Sequence, residues 1–238
     1  MSLKEIMKDV NDNLAKEKKK RARLKDLDLI VLDNSLREST VGQLRGHTLE
    51  NKRKIYDEVR KCGFQFKIVA AYSHMTRVDD YWVAAIVRDC EEGKEDLGNL
   101  FAFSEFIDSV SQGIPDTKTI PVGLRKMQEQ GLINPIIEID LAIKSINWEK
   151  FTMDDIFTLL TERFEWSRKN LSQDAKIMVN LRDFPDAMVY EMERLFSLVD
   201  YIASMPEAER PFGIMFEEPT GKFLPEEVGA WTAGKLAR

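Results

Sequence analysis

Short apolar runs and amphipathic segments alternate along most of the chain, and this alternation predicts a repeated strand–helix order. The apolar runs predict six buried strands, at residues 29–33, 66–71, 100–103, 135–140, 176–181 and 212–216. Segments with apolar residues every three or four positions predict the intervening helices, over residues 48–62, 78–90, 124–130, 153–170 and 187–203 and from Pro225. Six strand–helix units in succession predict a parallel sheet with right-handed crossovers.

Residues 1–28 carry a different pattern and are predicted to be a separate basic helical segment, followed by an α/β domain over residues 29–238. Ile6, Val10 and Leu14 are spaced by four and form one apolar stripe. From Lys16 to Lys25 there are seven basic residues and one acidic residue. Such a run is typical of a solvated helix face, with a nuclear-targeting or phosphate-contacting patch as the alternative.

The composition is that of a globular protein. The 238 residues are 43% hydrophobic with only 12 Gly and 8 Pro, which excludes collagen-like, low-complexity and disordered chains. The net charge of −6 argues against a nucleic-acid partner. No apolar run approaches the roughly 20 residues that cross a bilayer, so no membrane partner is expected. Two cysteines, Cys62 and Cys90, and an N-terminus unlike a signal peptide favour a cytoplasmic protein. Cys62 lies on an apolar helix stripe and is predicted to be buried.

Two closures of the sheet remain open from this pattern. A doubly wound sheet can stop at six strands, whereas a (β/α)8 barrel needs eight units and typically about 250 residues. No glycine-rich phosphate loop follows the first strand, so the main sign of a dinucleotide-binding fold is missing.

Polar side chains are concentrated after the predicted strands, where parallel α/β folds place their chemistry. They are Asp33, Arg37, Glu38, Glu138, Asp140, Arg182, Asp183, Glu217, Glu218 and Thr220. Carboxylates beside arginines could hold a divalent cation and an anionic substrate together. The alternative interpretation is that these carboxylates cap the helices that follow.

Two segments resemble the HMG-CoA lyase-like family, which includes the isopropylmalate, homocitrate and citramalate synthases and the pyruvate carboxyltransferase domain. Residues 33–38, Asp-Asn-Ser-Leu-Arg-Glu, followed by the helix start from Thr48 to Lys52, are similar to the family's D-T-T-L-R-D-G-x-Q and T-x-E-E-K patterns. Residues 218–228 are similar to its D-T-x-G-x-x-x-P-x-E-V pattern at strand six. The resemblance covers about residues 28–234.

The resemblance implies a (β/α)8 barrel that uses a divalent metal (Mg²⁺, Mn²⁺ or Zn²⁺) to make or break a carbon–carbon bond beside a carboxylate. By position, Arg37 would stabilise the enolate oxygen and Glu38 would take the place of the metal-binding Asp. A small carboxylic acid is the expected substrate, acyl-CoA is a candidate co-substrate, and a homo-oligomer is expected because family members often assemble. The expected substrate-binding residues are Asp33, Glu138, Asp183, Glu218 and Thr220.

The chain also departs from the family pattern. Ser39 replaces the Gly after the metal residue, residues 65–74 contain no acid, and Glu218-Pro219 replaces Asp-Thr. His47 and His74 are the only histidines, so the family's metal-binding H-x-H is absent. About six of the eight β/α units are expected, as if the chain were truncated before strand seven.

The sequence therefore supports three candidate functions. The first is a metal-dependent carbon–carbon lyase or acyl transferase acting on a 2-oxo or related carboxylic acid, with no appreciable turnover expected from this form. The second is a non-catalytic relative that acts as a binding or scaffold protein. The third is a sugar-phosphate or aldolase-type α/β barrel with another chemistry, ranked last because no lysine stands clearly at the end of strand six for a Schiff base.

Overall fold

A computed structural model describes residues 3–23, 30–38, 48–218, 221, 223–224, 226–227 and 229–231. The chain divides into two compact units, Met1–Val31 and Leu32–Arg238. The first unit contains helix α1 (Leu3–Arg23), on which Met7, Val10 and Leu14 are exposed. No helix among the described residues is both long and apolar enough to cross a membrane.

The second unit alternates strands and helices along its length. Its strands are β1 (Leu32–Asp33), β2 (Phe66–Ala71), β3 (Leu100–Glu105), β4 (Val110–Ser111), β5 (Ile114–Pro115), β6 (Asn134–Asp140), β7 (Met178–Arg182) and β8 (Gly213–Phe216). Its helices are α2 (Ser35–Glu38), α3 (Leu49–Lys61), α4 (Val78–Glu91), α5 (Val122–Gln130), α6 (Met153–Asn170), α7 (Phe184–Tyr190) and α8 (Met192–Ser204).

Six strands form one parallel sheet in the order β1-β2-β3-β6-β7-β8, and β4 and β5 form a separate antiparallel hairpin. The six sheet strands are the six that the apolar runs predict. Because their order follows the chain without reversing, the sheet is singly wound as in a (β/α)8 barrel, whereas a doubly wound sheet reverses at a switch point. The expected partial barrel of six strands is confirmed.

Contacts across the inner face show that this sheet curls. The ring of Phe212, just before β8, lies 6.2 Å from the ring of Phe66 on β2 and 6.5 Å from that of Phe101 on β3. Four strand spacings separate β2 from β8, which would be about 19 Å in a flat sheet. The sheet is therefore bent into a half-barrel, and these three rings are called the aromatic floor below.

Alternation along the strands divides side chains between the inner face and the outer face under the helices. The outer residues Val69, Ala102, Ile137 and Val179 belong to the cores shared with the helices. On the inner face, register places Phe103, Ile136 and Met178 side by side. The next inner layer toward the carboxyl ends contains Glu105, Glu138 and Asn180.

Several sequence predictions are wrong in detail. The helix predicted over 187–203 is two helices, because Glu191 leaves helical geometry at φ −136°, ψ 33°. The first strand is Leu32–Asp33 alone, and neither the β4–β5 hairpin nor α2 was expected. Cys62 is exposed because it caps the end of α3 and does not lie on its buried stripe. The predicted helix start at Pro225 lies outside the described residues.

Candidate functional site

The carboxyl end of the half-barrel has a polar inner layer centred on Arg182, the last residue of β7. Its Nη1 lies 3.0 Å from Oε1 of Glu138 on β6 and 3.5 Å from Oε1 of Glu105 on β3. Glu105 and Glu138 are register partners, and Arg182 lies two residues beyond Asn180, the register partner of Glu138 on β7. Since every second residue of a strand faces inward, Arg182 is on the same face and its guanidinium reaches both glutamates. One guanidinium thus bridges carboxylates of two neighbouring strands.

Asn180 joins this layer to β8. Its Nδ2 donates to Glu138 Oε2 and to Glu217 Oε2, each at 3.2 Å. Glu217 directly follows β8, and its backbone N–H donates to the carbonyl of Leu181 at 3.1 Å. Asn180 and Glu138 are buried, and the Asn180 amide links the Glu138 carboxylate to the partly exposed carboxylate of Glu217.

Arg37 reaches the same inner face from the other edge of the sheet, where β1 lies. It lies on α2, directly after β1, and its guanidinium carbon is 4.8 Å from the centre of the Phe103 ring. Phe103 is one inner layer below Glu105 on β3. The positive charge of Arg37 also acts on Glu138, where it lowers the pKa against a net upward shift.

The carboxylates of this layer bind protons more tightly than ordinary ones. Loss of solvent and then the negative charge of Glu138 raise the pKa of Glu105 to about 7, although Arg182 opposes the shift. Loss of solvent also raises the pKa of Glu138 and of Asp140. Glu105 therefore can gain and lose a proton near neutral pH.

A small hollow of about 40 Å³ adjoins these carboxylates. Glu105, Glu138 and Asp140 line one part of it, and the remainder is apolar, formed by Phe106, Ile107, Val110, Ile139, Ile143, Ile146 and Ile156. A volume of this size admits a water molecule or a methyl-sized group.

The half-barrel is similar to solved structures of two lyases. It superposes on HMG-CoA lyase of Bacillus subtilis with a TM-score of 0.56, at 13% identity, over 89% of this chain and 65% of that enzyme. For an HMG-CoA lyase of Acinetobacter baumannii in complex with coenzyme A and 3-methylmalate, the TM-score is 0.54 at 16% identity, over 88% of this chain and 62% of the other.

The chain has the fold of the HMG-CoA lyases. Its described half-barrel spans less than two thirds of the length of these two lyases. At the level of sequence, neither a scan of family models nor a search of curated proteins finds a match. The resemblance drawn from the strand-one and strand-six segments is thus confirmed as a likeness of fold.

The predicted site residues divide into those in the polar layer, those that make local turn contacts, and those outside the described residues. Glu138 lies within the polar layer. Asp33 accepts hydrogen bonds from the backbone N–H and the hydroxyl of Ser35, at 3.1 and 3.0 Å, and so caps α2. Glu218 accepts from the N–H of Gly221 at 2.6 Å within a local turn. Thr220 and the side chain of Glu38 lie outside the described residues.

Asp183 follows Arg182 and lies at the same edge of the sheet. Its backbone is left-handed, at φ 46°, ψ 43°, and its Oδ2 is 3.9 Å from Arg182 Nε. A non-glycine residue in this region is strained, and such strain is common at functional edges.

Sequence reasoning missed Glu105 and Asn180 and did not select Glu217. A signal was available: Phe101, Phe103 and Glu105 alternate along one strand, as do Met178, Asn180 and Arg182 along another. Extending the predicted third strand by two residues would have placed Glu105 inward, beside Glu138. The sequence prediction missed Glu105 because it ended the third strand at its last apolar residue.

The described residues do not fit the metal centre that the resemblance implies. Over residues 3–23, 30–38, 48–218 and the short segments beyond them, no three His, Cys, Asp or Glu side chains form a group that could hold a metal ion. The carboxylates that do meet are already bridged by Arg182 and Asn180.

Proposed function

We propose that this chain is a lyase-family relative that binds a small carboxylic acid at the carboxyl end of its half-barrel. The proposed reaction is carbon–carbon lyase or acyl-transfer chemistry on a 2-oxo or related carboxylic acid. One observation carries the proposal: Arg37 lies over Phe103 on the same inner face that bears Glu105, whose pKa is about 7.

The two side chains supply complementary chemistry. The guanidinium of Arg37 carries a delocalised positive charge and several N–H donors, and it can stabilise the enolate oxygen that develops when a bond beside a carbonyl breaks. Glu105, with its pKa raised to about 7, can deliver a proton to the enolate carbon or remove one from it. In the cleavage direction, the carbon that bears the hydroxyl becomes a carbonyl and its hydroxyl proton passes to solvent, while the electron pair of the broken carbon–carbon bond forms the enolate. Glu105 then donates its proton to the enolate carbon and is reprotonated from solvent.

A non-catalytic relative that only binds such acids is the second candidate. It is favoured by the engagement of Glu138 and Glu105 with Arg182, which leaves these carboxylates less free to exchange protons.

Calorimetric titration with 3-methylmalate and with pyruvate, each with and without Mn²⁺, tests whether an acid binds. We expect saturable binding that weakens at least tenfold in Arg37→Ala and partly recovers in Arg37→Lys. Arg88→Lys, an exposed arginine on α4, is the matched control and should bind like the wild type. Saturation lacking in every titration would contradict both candidates.

Turnover assays separate the two candidates once binding is established. Acyl-CoA thioesters are incubated with 2-oxo acids and Mg²⁺, Mn²⁺ or Zn²⁺, and free CoA is measured. Turnover that is lost in Glu105→Gln while binding persists supports the enzyme, and binding without turnover supports the non-catalytic relative. Calorimetric titration of Glu38→Ala with Mn²⁺, compared with wild type, tests whether Glu38 holds a metal.

A further inference from the structure

An ion pair is buried beneath the segment that carries Arg37. The Nζ of Lys52, in the first turn of α3, lies 2.7 Å from Oδ1 of Asp79, in the first turn of α4. Lys52 is fully buried and Asp79 is 2% exposed. This pair joins the beginnings of two neighbouring helices inside the core.

The same ammonium group also holds α2. Lys52 Nζ donates a hydrogen bond to the backbone carbonyl of Leu36, the residue immediately before Arg37. Leu36 itself is fully buried. Lys52 therefore fixes the backbone next to Arg37, while the Arg37 side chain extends over Phe103.

Stability alone does not explain such a pair. Removing two charges from water is costly, and well-packed apolar residues in their place are often equally stable or more so. Burial lowers the pKa of Lys52 although Asp79 raises it, which shows the cost of keeping this ammonium charged. An apolar pair would, however, provide no donor for the Leu36 carbonyl.

We propose that Lys52, held by Asp79, is a positioning residue that fixes α2 so that Arg37 is presented to the acid-binding face. The inference rests on the proposed function, because that function gives Arg37 its role. The effect of Lys52 on the order of the Arg37 side chain is measurable without any ligand. The clamp is the set Lys52, Asp79 and the Leu36 carbonyl.

The test follows the Nε–H resonance of Arg37 by NMR in the full chain, identified by its loss in Arg37→Lys. In wild type, we expect a resolved signal with slow solvent exchange. In the double variant Lys52→Met/Asp79→Leu, we expect the urea midpoint to be retained while the Arg37 signal moves to the position of a disordered arginine. Should the double variant not fold, Asp79→Asn keeps an acceptor of similar shape and should shift the same signal in part.

The control is a second pair of like burial, Lys67 and Glu95, which are 3.1 Å apart with side chains 5% and 10% exposed. Lys67→Met/Glu95→Gln should leave the Arg37 signal in place. An unchanged Arg37 signal in Lys52→Met/Asp79→Leu, or an equal change in the control, would overturn the inference.

Binding of 3-methylmalate then connects the clamp to the function. We expect Lys52→Met/Asp79→Leu to weaken binding at least tenfold in the wild-type background and to have no further effect in Arg37→Ala. Equal weakening in both backgrounds would mean that the clamp acts other than through Arg37, and would overturn the inference. If wild type binds no acid but the Arg37 signal depends on Lys52, the proposed function fails and the positioning role stands.

Discussion

The ionisation of Glu105 depends on the fold. It ends β3 beside Glu138, with Arg182 Nη1 3.5 Å from its Oε1, and its pKa is raised from 4.5 to about 7. Between those pH values the folded chain retains a proton that the unfolded chain has released. The contribution of Glu105 to stability is therefore present below about pH 4.5 and is lost as the pH rises to about 7.

Replacing Glu105 by Gln should remove this pH dependence. We expect Glu105→Gln to be more stable than wild type at pH 8 and to lose that advantage by pH 4.5, because an amide does not ionise. The side chain is 48% exposed, so solvent screening limits the difference to about 1 kcal/mol. Urea unfolding at four pH values measures it, with the exposed Glu149→Gln as control. A difference that stays constant with pH would contradict the prediction.

At the scale of elements, the junction of β7 and α7 is held in an unusual conformation. Asp183 is left-handed, and the following residue, Phe184, donates its backbone N–H to the carbonyl of Glu217 at 3.1 Å. This bond ties the start of α7 to the end of β8. The turn consequently holds both the Asp183 and Glu217 segments at the candidate site.

Glycine and alanine substitutions at Asp183 should differ in stability. Asp183→Gly should be more stable than Asp183→Ala by about 1 kcal/mol, because only glycine adopts a left-handed backbone without strain. Asp186, in the first turn of α7, should show the opposite order, since alanine favours a right-handed helix. Thermal unfolding of the four variants tests both, and the same order at the two positions would contradict the strain.

At the scale of the whole molecule, the bend of the sheet decides which residues can meet. The aromatic floor joins β2, β3 and the residue before β8 across the inner face. Sequence neighbours do not account for these contacts, because Phe66 and Phe212 are far apart along the chain. The floor closes one end of the half-barrel, and the polar layer lies at the other.

A double-mutant cycle between Phe66 and Phe212 should detect this curvature. Phe212 is 45% exposed, so Phe212→Ala should cost about 1–2 kcal/mol, less than a fully buried ring. We expect a coupling energy of about 0.5–1.5 kcal/mol with Phe66→Ala, since edge and tilted ring pairs attract beyond their buried area. Tyr81→Ala, at an exposed site, is the uncoupled control. Strict additivity in urea unfolding would contradict a curled sheet in solution.

The sequence by itself determined the existence of the six sheet strands, their parallel direction and the concentration of polar residues at their carboxyl ends. These features follow from local periodicity: apolar runs form buried strands, and stripes spaced by three or four form helices. It also indicated the lyase fold through residues 33–52 and 218–228. Arg37, identified by position within that motif, does reach the inner face.

Only the tertiary structure decided which polar groups meet. Register between strands placed Glu105 and Asn180 beside Glu138, and a slip of one residue would have turned them to the outer face. The Asp33 carboxylate accepts hydrogen bonds from Ser35 at the start of α2, and the packing of α3 on α4 brought Lys52 to Asp79. These pairings depend on strand register, curvature and helix packing, which are set by contacts between segments distant in sequence and leave no local periodic signal.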